Sequence, residues 1–355
     1  MAKPFVSVLI DTYNHERFIE EAIVSVLEQD FPAADREIIV VDDGSSDQTP
    51  EIVRTFEPQV RVLWKENGGQ ASAFNAGIPE CKGEIVAFLD GDDWWAPGKL
   101  EQVCRALAED QEIGLVGHGI TEVYTDGREH TELLRETPRF RIDSETGALA
   151  FRLRKSFLGT SRMTFRTKVL RRIGPVPEAL RIEADEYLFT LGAVLADVLI
   201  LREALTFYRL HESNAFQVTN GNMEALRRKH GVLATLAESL RNKLMEMKLP
   251  KRTIGIVVDS VQTESDLIRL TMENGWPLET LRAELRNYGI VHEHASAPRW
   301  AFKCLTLIPA CILPSQIYYS LRNRVSGSGL YKRARKRWLP SPEPAHVDRH
   351  RTTRP

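Results

Sequence analysis

FVSVLIDTYNHERFIEEAIVSVLEQ, residues 5–29, changes periodicity partway along. Residues 5–10 are one continuous apolar run rich in β-branched side chains, the pattern of a strand buried on both faces. From Phe18 the apolar residues recur at helical spacing, as Phe18, Ile19, Ala22, Ile23, Val26 and Leu27, so an amphipathic helix follows the strand. The same succession repeats. EIIVV (37–41) precedes a helix from 47, VRVLW (60–64) a helix from 70, and EIVAFL (84–89) a helix from Pro97, where proline suits a first turn. This alternation predicts an α/β fold, a Rossmann-like open and mainly parallel sheet flanked by helices and wound with right-handed crossovers. GLVGH (114–118) is the candidate fifth strand.

Beyond it, residues 120–160 are polar and irregular and read as loops and short strands. MTFRTKVLRRIGPVPEAL holds a short strand and a helix closed by Gly174 and Pro175, EYLFTLGAVLA reads as a helix, and VLILREALTFYRL as a strand. Past 221 the pattern turns helical, and the stretch after Ser341, rich in Pro, Arg and His, is expected to be disordered.

The bulk numbers exclude several classes. With 43% hydrophobic and 27% charged residues in 355, the chain has globular composition. A net charge of -2 selects no partner for the molecule as a whole, and no nucleic-acid partner is expected. Cys81, Cys104, Cys304 and Cys311 are too few and too scattered for a disulfide framework or a metal knuckle; Cys304 and Cys311 read as small core residues. MAKPFVSVLID lacks the apolar stretch of an export signal, so a cytoplasmic location is expected.

In an open α/β sheet, ligands bind beyond the carboxyl ends of the strands. Here those ends carry Asp11, Thr12, Tyr13 and Asn14; Asp42, Asp43, Gly44 and Ser45; Asn67, Gly68, Gly69 and Gln70; and Asp90, Gly91, Asp92 and Asp93. Tyr13 suits packing on a flat base, Asp43 hydrogen bonding to a base or ribose, and the amides of residues 68–71 an anion at a helix start. Carboxylates this crowded repel one another unless protonated or bridged by a cation. Mg²⁺ or Mn²⁺, ligated by one or two carboxylates and a substrate diphosphate, answers that need.

VSVLIDTYNHERFIEEAIVSVLEQ, IIVVDDGSSDQT, ENGGQASAFNAGI and GEIVAFLDGDDWWAPGKL, in that order, resemble the N-terminal half of the family 2 glycosyltransferases, whose nucleotide-sugar domain has the A-type fold. The likeness continues more loosely to about residue 216, through RIEADEYLFTLG and FYRLHESNAF. It implies transfer of a sugar from a nucleoside diphosphate sugar to an acceptor hydroxyl with inversion. Thr12, Tyr13 and Asp43 would contact the nucleoside, and Asp90 and Asp92 would form the Asp-x-Asp motif, Asp92 being the more direct metal ligand. The resemblance extends the nucleotide-sugar set to Asn14, Asn67, Gly69, Gln70, Asn75, Gly91, Arg209 and His211, with His211 also a metal ligand. The family's Glu-Asp motif falls on Ala184-Asp185, so its first acid is missing, although Glu183 and Glu186 flank it; Asp185 is the expected base. Asp11 stands where proline is common. Trp94 and Trp95 are candidates for walling a sugar or acceptor site, at most one of them functional.

The resulting division is a catalytic domain over 1–218 (nucleotide-sugar half 1–118, acceptor-side half 119–218), a helical region over 219–295, an apolar and basic segment over 296–340, and the tail 341–355. WAFKCLTLIPACILPSQIYYSLRNRV (300–325) is interrupted by Lys303, Pro309 and Pro314, which argues against a spanning helix. Residues 322–337 hold seven Lys or Arg and no acid. The segment therefore reads either as a helix lying in an anionic membrane surface or as one packed on the protein. The leading expectation is a metal-dependent inverting glycosyltransferase at the inner face of the membrane, acting on a carbohydrate or lipid-linked acceptor. A non-catalytic nucleotide-sugar-binding or scaffold protein is the alternative. A dinucleotide oxidoreductase is disfavoured, because no Gly-x-Gly-x-x-Gly follows the first strand.

Overall fold

Strands form where the apolar runs were read, and the register between them sets the site. The computed structural model describes residues 5–211, 223–273, 276–291 and 297–327. The elements run β1 (Val6–Thr12), α1 (Ile19–Leu27), β2 (Arg36–Asp42), α2 (Thr49–Arg54), β3 (Arg61–Trp64), α3 (Gln70–Gly77), β4 (Ile85–Asp90), β5 (Trp94–Trp95), α4 (Lys99–Glu109), β6 (Ile113–Tyr124), β7 (Glu129–Glu132), β8 (Arg139–Phe140), α5 (Glu145–Arg154), β9 (Thr164–Arg166), α6 (Thr167–Ile173), α7 (Ala184–Leu195) and β10 (Asp197–Leu210). Helices α8 (Met223–Glu246), α9 (Lys251–Met272), α10 (Leu278–Val291), α11 (Ala297–Leu307) and α12 (Ser315–Gly327) follow.

The sheet order is β3-β2-β1-β4-β9-β6-β10-β5, with β7 beside β6 and β8 beside β10. β1 to β4 are parallel; β9 is wedged antiparallel between β4 and β6, and β10 lies parallel to β6. The chain winds outward from β1 to β3 and then crosses back to β4, so the winding reverses between β1 and β4. That is where such sheets open a crevice. Register places Asp11 opposite Asp90, and Thr12 opposite Asp42, at its floor. The sheet is therefore mixed, with a parallel half built from the motif-bearing strands. Strands β1, β2 and β4 bury Val8, Ile10, Ile38, Val40, Ala87 and Leu89 against α1 and α4, whose Ile19, Ile23, Val26, Leu100, Val103 and Leu107 complete the core.

Residues 120–160 hold more regular structure than their polarity suggests. β6 runs on to Tyr124, paired with β7 on one side and β10 on the other, and α5 begins at Ser144, whose hydroxyl accepts the Gly147 amide at 3.1 Å. Exposed edges carry polar side chains, so alternation is weak there although the backbone pairing is complete.

Two compact units emerge: Met1–Val218 with Arg228–Ser265, and Thr219–Arg227 with Asp266–Pro355. The first thus takes in helical residues that the sequence grouped with the C-terminal region; His230 Nδ1 lies 2.8 Å from Ser265 Oγ, and Lys229 pairs with Glu264. In the second, Leu270, Leu281, Leu307, Ala310, Tyr318 and Tyr319 form a small core, beside which buried Glu284 is paired with Lys303 and Arg322. Cys304 and Cys311 are exposed there rather than buried in it. Among the described residues no helix is long and apolar enough to cross a membrane. The tail 341–355 and the basic residues past Gly327 lie outside the described residues.

Candidate functional site

Beyond the carboxyl ends of β1, β2 and β4 the first unit opens into a cleft of about 640 Å³. Asp11, Asp43, Asp90, Asp92, Asp93, Glu183 and Asp185 supply its acids. One oxygen each from Asp90, Asp92 and Asp93 falls within 4.8 Å of the others. The turn carrying them can form because residue 91 is glycine: a Cβ there would stand 2.7 Å from Thr12 Oγ1 and 2.9 Å from His15 Nδ1.

Burial and mutual repulsion divide these acids. Asp90 and Asp11 are held well above the usual carboxylate range, first by burial and then by neighbouring carboxylates. Burial and Asp92 push Asp93 up to about 8. For Asp92, burial acts in the same direction but is outweighed by the hydrogen bond from His211 and the charges of His15 and His211, which leave it below the ordinary range. Asp92 is accordingly the one acid of the Asp90–Asp93 turn whose charged form its surroundings favour. Its Oδ2 lies 3.0 Å from His211 Nε2 and 3.9 Å from His15 Nε2. Among the described residues, Asp11 Oδ1 and Asp93 Oδ2 are buried with no hydrogen-bond partner. Unpartnered carboxyl oxygens in and beside a carboxylate triad are the donor set that a hard divalent cation takes. The residues fit Mg²⁺ or Mn²⁺.

Asp185 opens α7. Glu183 before it adopts a left-handed φ of 63°, a costly conformation for a non-glycine residue and one that clusters at functional sites. Asp185 accepts the Thr160 amide at 3.1 Å and the Glu186 amide at 2.8 Å, and burial raises its carboxyl above the ordinary range. Gln70 binds both flanks: its amide nitrogen donates to Thr160 Oγ1 and its oxygen accepts the Ala184 amide, each at 3.0 Å. Next to Thr160, Ser161 Oγ accepts the Asp90 amide at 3.1 Å and lies 3.3 Å from Asp90 Oδ2. Fully buried Lys99 donates to the Ser161 carbonyl at 2.7 Å and sits 3.9 Å above the Trp95 ring.

Thr12, Tyr13, Asp43, Asn67, Gly69, Gln70, Asp90, Asp92 and Asp185 all line the cleft. Tyr13 is 45% exposed, open for a ring to stack on. The remaining candidates lie off its wall. Asn75 forms a reciprocal pair of 2.8 Å bonds with the Val176 backbone. Exposed Asn14 accepts the Ser46 amide. Arg209 is held behind the Asp92-Asp93 turn by Asp92 O, Asp93 and Glu21, with its guanidinium over Phe18 and Trp94. His211 Nε2 meets the cleft acid Asp92, 3.0 Å from its Oδ2.

Asp43 is also more occupied than expected, since Lys65, Asn67 Nδ2, Gly68 N and Gly69 N all donate to its carboxylate. With the Gln70 and Ala71 amides bonded to the Arg181 and Leu180 carbonyls, the start of α3 offers no free amides to an anion. The expectation for residues 68–71 is corrected on that ground. Neither tryptophan walls the cleft: Trp95 is buried, and Trp94 stacks on Phe207 at 5.0 Å.

His15, Thr160, Ser161, Arg162, Tyr208 and Arg228 line the cleft without having been named in the sequence, while Glu183 was named there only as a flank of Asp185. His15 directly follows a named motif residue and was within reach of the sequence reading. Tyr208 directly precedes another, Arg209, and the rest arrive from segments with no distinguishing spacing.

A mixed sheet flanked by helices, with its crevice at the switch point, is the architecture of the A-type fold, and solved structures share it. S. aureus TarS residues 1–349, in complex with UDP-GlcNAc, matches with a TM-score of 0.56 at 21% identity, over 93% of this chain and 92% of that one. A mannosyltransferase from Pyrobaculum calidifontis, in complex with GDP-Man and Mn²⁺, matches with a TM-score of 0.51 at 18% identity, over 92% and 89%. The Glycosyl transferase family 2 model matches residues 7–174. An uncharacterised glycosyltransferase of Rickettsia typhi is 30% identical over 246 residues, 69% of this chain and 75% of that protein. One from Nostoc sp. is 33% identical over 216 residues, 59% of this chain and 66% of its own length. This chain belongs to glycosyl transferase family 2 and is an enzyme of that class.

Proposed function

We propose that the enzyme transfers a sugar from a nucleoside diphosphate sugar, a UDP-sugar first among them, to a hydroxyl of a carbohydrate or lipid-linked acceptor. The setting would be synthesis of a surface polysaccharide, glycolipid or lipid-linked glycan at the inner face of the cell membrane. One observation carries the reading: the turn Thr160–Arg162 touches both halves of the chemistry, with the Thr160 amide on Asp185 and the Ser161 hydroxyl on Asp90. Base and diphosphate-side acids are thereby fixed to one piece of backbone, which is the orientation that a single displacement needs.

Asp185 takes the acceptor's hydroxyl proton as the new glycosidic bond forms, on the face opposite the departing diphosphate, so configuration inverts. Asp90 and Asp92, with His211, would hold Mg²⁺ or Mn²⁺, which when bound supplies Lewis-acid stabilisation of the leaving phosphate. Tyr13 stacks on the base, while Thr12, Asn67, Gly69 and Gln70 line the donor side. The UDP preference is supported by TarS having been solved with UDP-GlcNAc, and the metal by the Mn²⁺ of the P. calidifontis enzyme.

The test is hydrolysis of UDP-sugars across a Mn²⁺ series. Turnover should rise with Mn²⁺, and Asp92→Ala and Asp185→Asn should each lower it by about 10²–10⁴. Native protein inert toward every donor, with or without the ion, would overturn the proposal in favour of a binding scaffold.

A further inference from the structure

Among the described residues, the apolar stretch near the C-terminus packs one face on a small core and leaves the other exposed. Residues 304–321 contain no Asp, Glu, Lys or Arg. Within them Leu307, Ala310, Tyr318 and Tyr319 point into the small core with Leu270 and Leu281. Leu305, Ile308, Ile312, Leu313, Ile317 and Leu321 point outward, Ile312 at 77% exposure and Leu305 at 61%. Ile317 and Leu321 are one helical turn apart on α12, and so form a stripe. Scattered exposed apolar residues are ordinary; six large ones within one uncharged stretch mark an interaction surface.

We infer that this outward face docks on an anionic lipid bilayer, laying its aliphatic side chains into the interface without crossing it. Charge selects this occupant. The sequence runs on from α12 through Lys332, Arg333, Arg335, Lys336 and Arg337 with no acid between 323 and 337. A second copy of the chain would bring the same positive run against the first, whereas anionic headgroups complement it, each cation near such a surface adding to the attraction. Pro309 and Pro314 break the stretch below spanning length, and no described helix is long enough to span. The inference deepens the proposed function by naming the surface that would bring the enzyme to a lipid-linked acceptor.

Co-sedimentation of the full chain with phosphatidylcholine vesicles, with and without phosphatidylglycerol, tests it. Native protein should pellet with the anionic vesicles, and less so with neutral ones or in high salt. Ile312→Ser with Ile317→Ser should weaken vesicle binding about tenfold per side chain. Because both positions are exposed, melting temperature and UDP-sugar hydrolysis in solution should stay unchanged. Native protein that ignores anionic vesicles, or a double variant that binds them as well as native, would overturn the inference. So would native dimers that the double variant dissolves, since the face would then serve self-association. Loss of docking with hydrolysis intact leaves the transferase reading standing, and absent hydrolysis with vesicle binding intact counts only against that reading.

Discussion

Asp43→Asn separates the task that the sequence assigned to this residue from the one that the structure gives it. A contact to the nucleoside would leave the ligand-free protein indifferent to the change. In the structure, however, the 4% exposed carboxylate accepts from Lys65, from Asn67 Nδ2 at 3.2 Å, from Gly68 N at 3.0 Å and from Gly69 N at 2.6 Å. An amide keeps one accepting oxygen and turns an NH₂ toward two groups that can only donate. Two hydrogen bonds to a charged acceptor are lost, at about 1.5–3 kcal/mol each, for a total of about 3–6 kcal/mol. For a domain of this size each kcal/mol moves the melting temperature by about 2–4 °C, so a fall of at least about 6 °C is expected by differential scanning fluorimetry without ligand. A melting temperature within about 2 °C of native, with nucleotide affinity lost, would refute the reasoning and restore Asp43 as a plain nucleoside contact.

Because burial raises Asp185, and because a base works only when deprotonated, kcat/KM should fall as pH drops through a value above the ordinary carboxylate range; a limb at the ordinary position would count against this base. His211→Ala should weaken Mn²⁺ binding about 10–100-fold in an electron paramagnetic resonance titration. Unchanged affinity would reduce His211 to the partner that Phe18 packs against at 4.7 Å. Gly69→Ala combines a φ of 84° with a Cβ 2.6 Å from Arg181 Cα, and should cost about 1–3 kcal/mol by urea unfolding. Gly127→Ala has a similar φ of 79° but open space around it, and isolates the backbone part of that cost.

The parallel half of the sheet was legible because its cause is local. A strand buried on both faces must be apolar at successive positions, and FVSVLI, EIIVV and EIVAFL are. The converging acids were legible for a related reason: once strand direction is known, the residue after each strand lies at the same edge. What escaped was the role of residues whose partners are remote in the chain. Asn75 carries a motif position yet clamps Val176, and Trp94 stacks on Phe207, neither of which any spacing reveals. Ser161 and Lys99 meet across 62 residues in a buried bond that no periodicity announces.

Read alone, the chain determined its α/β class, the order of its motif strands and the identity of its acidic cluster, since these follow from side-chain character and from spacing within one element. Tertiary structure alone decided which acids of the turn are shifted up and which down, because that depends on how deeply each is buried and on whether His211 or another carboxylate faces it. It likewise decided which apolar residues of 304–321 are covered and which face outward, for burial is a property of what packs against a side chain, not of the side chain itself.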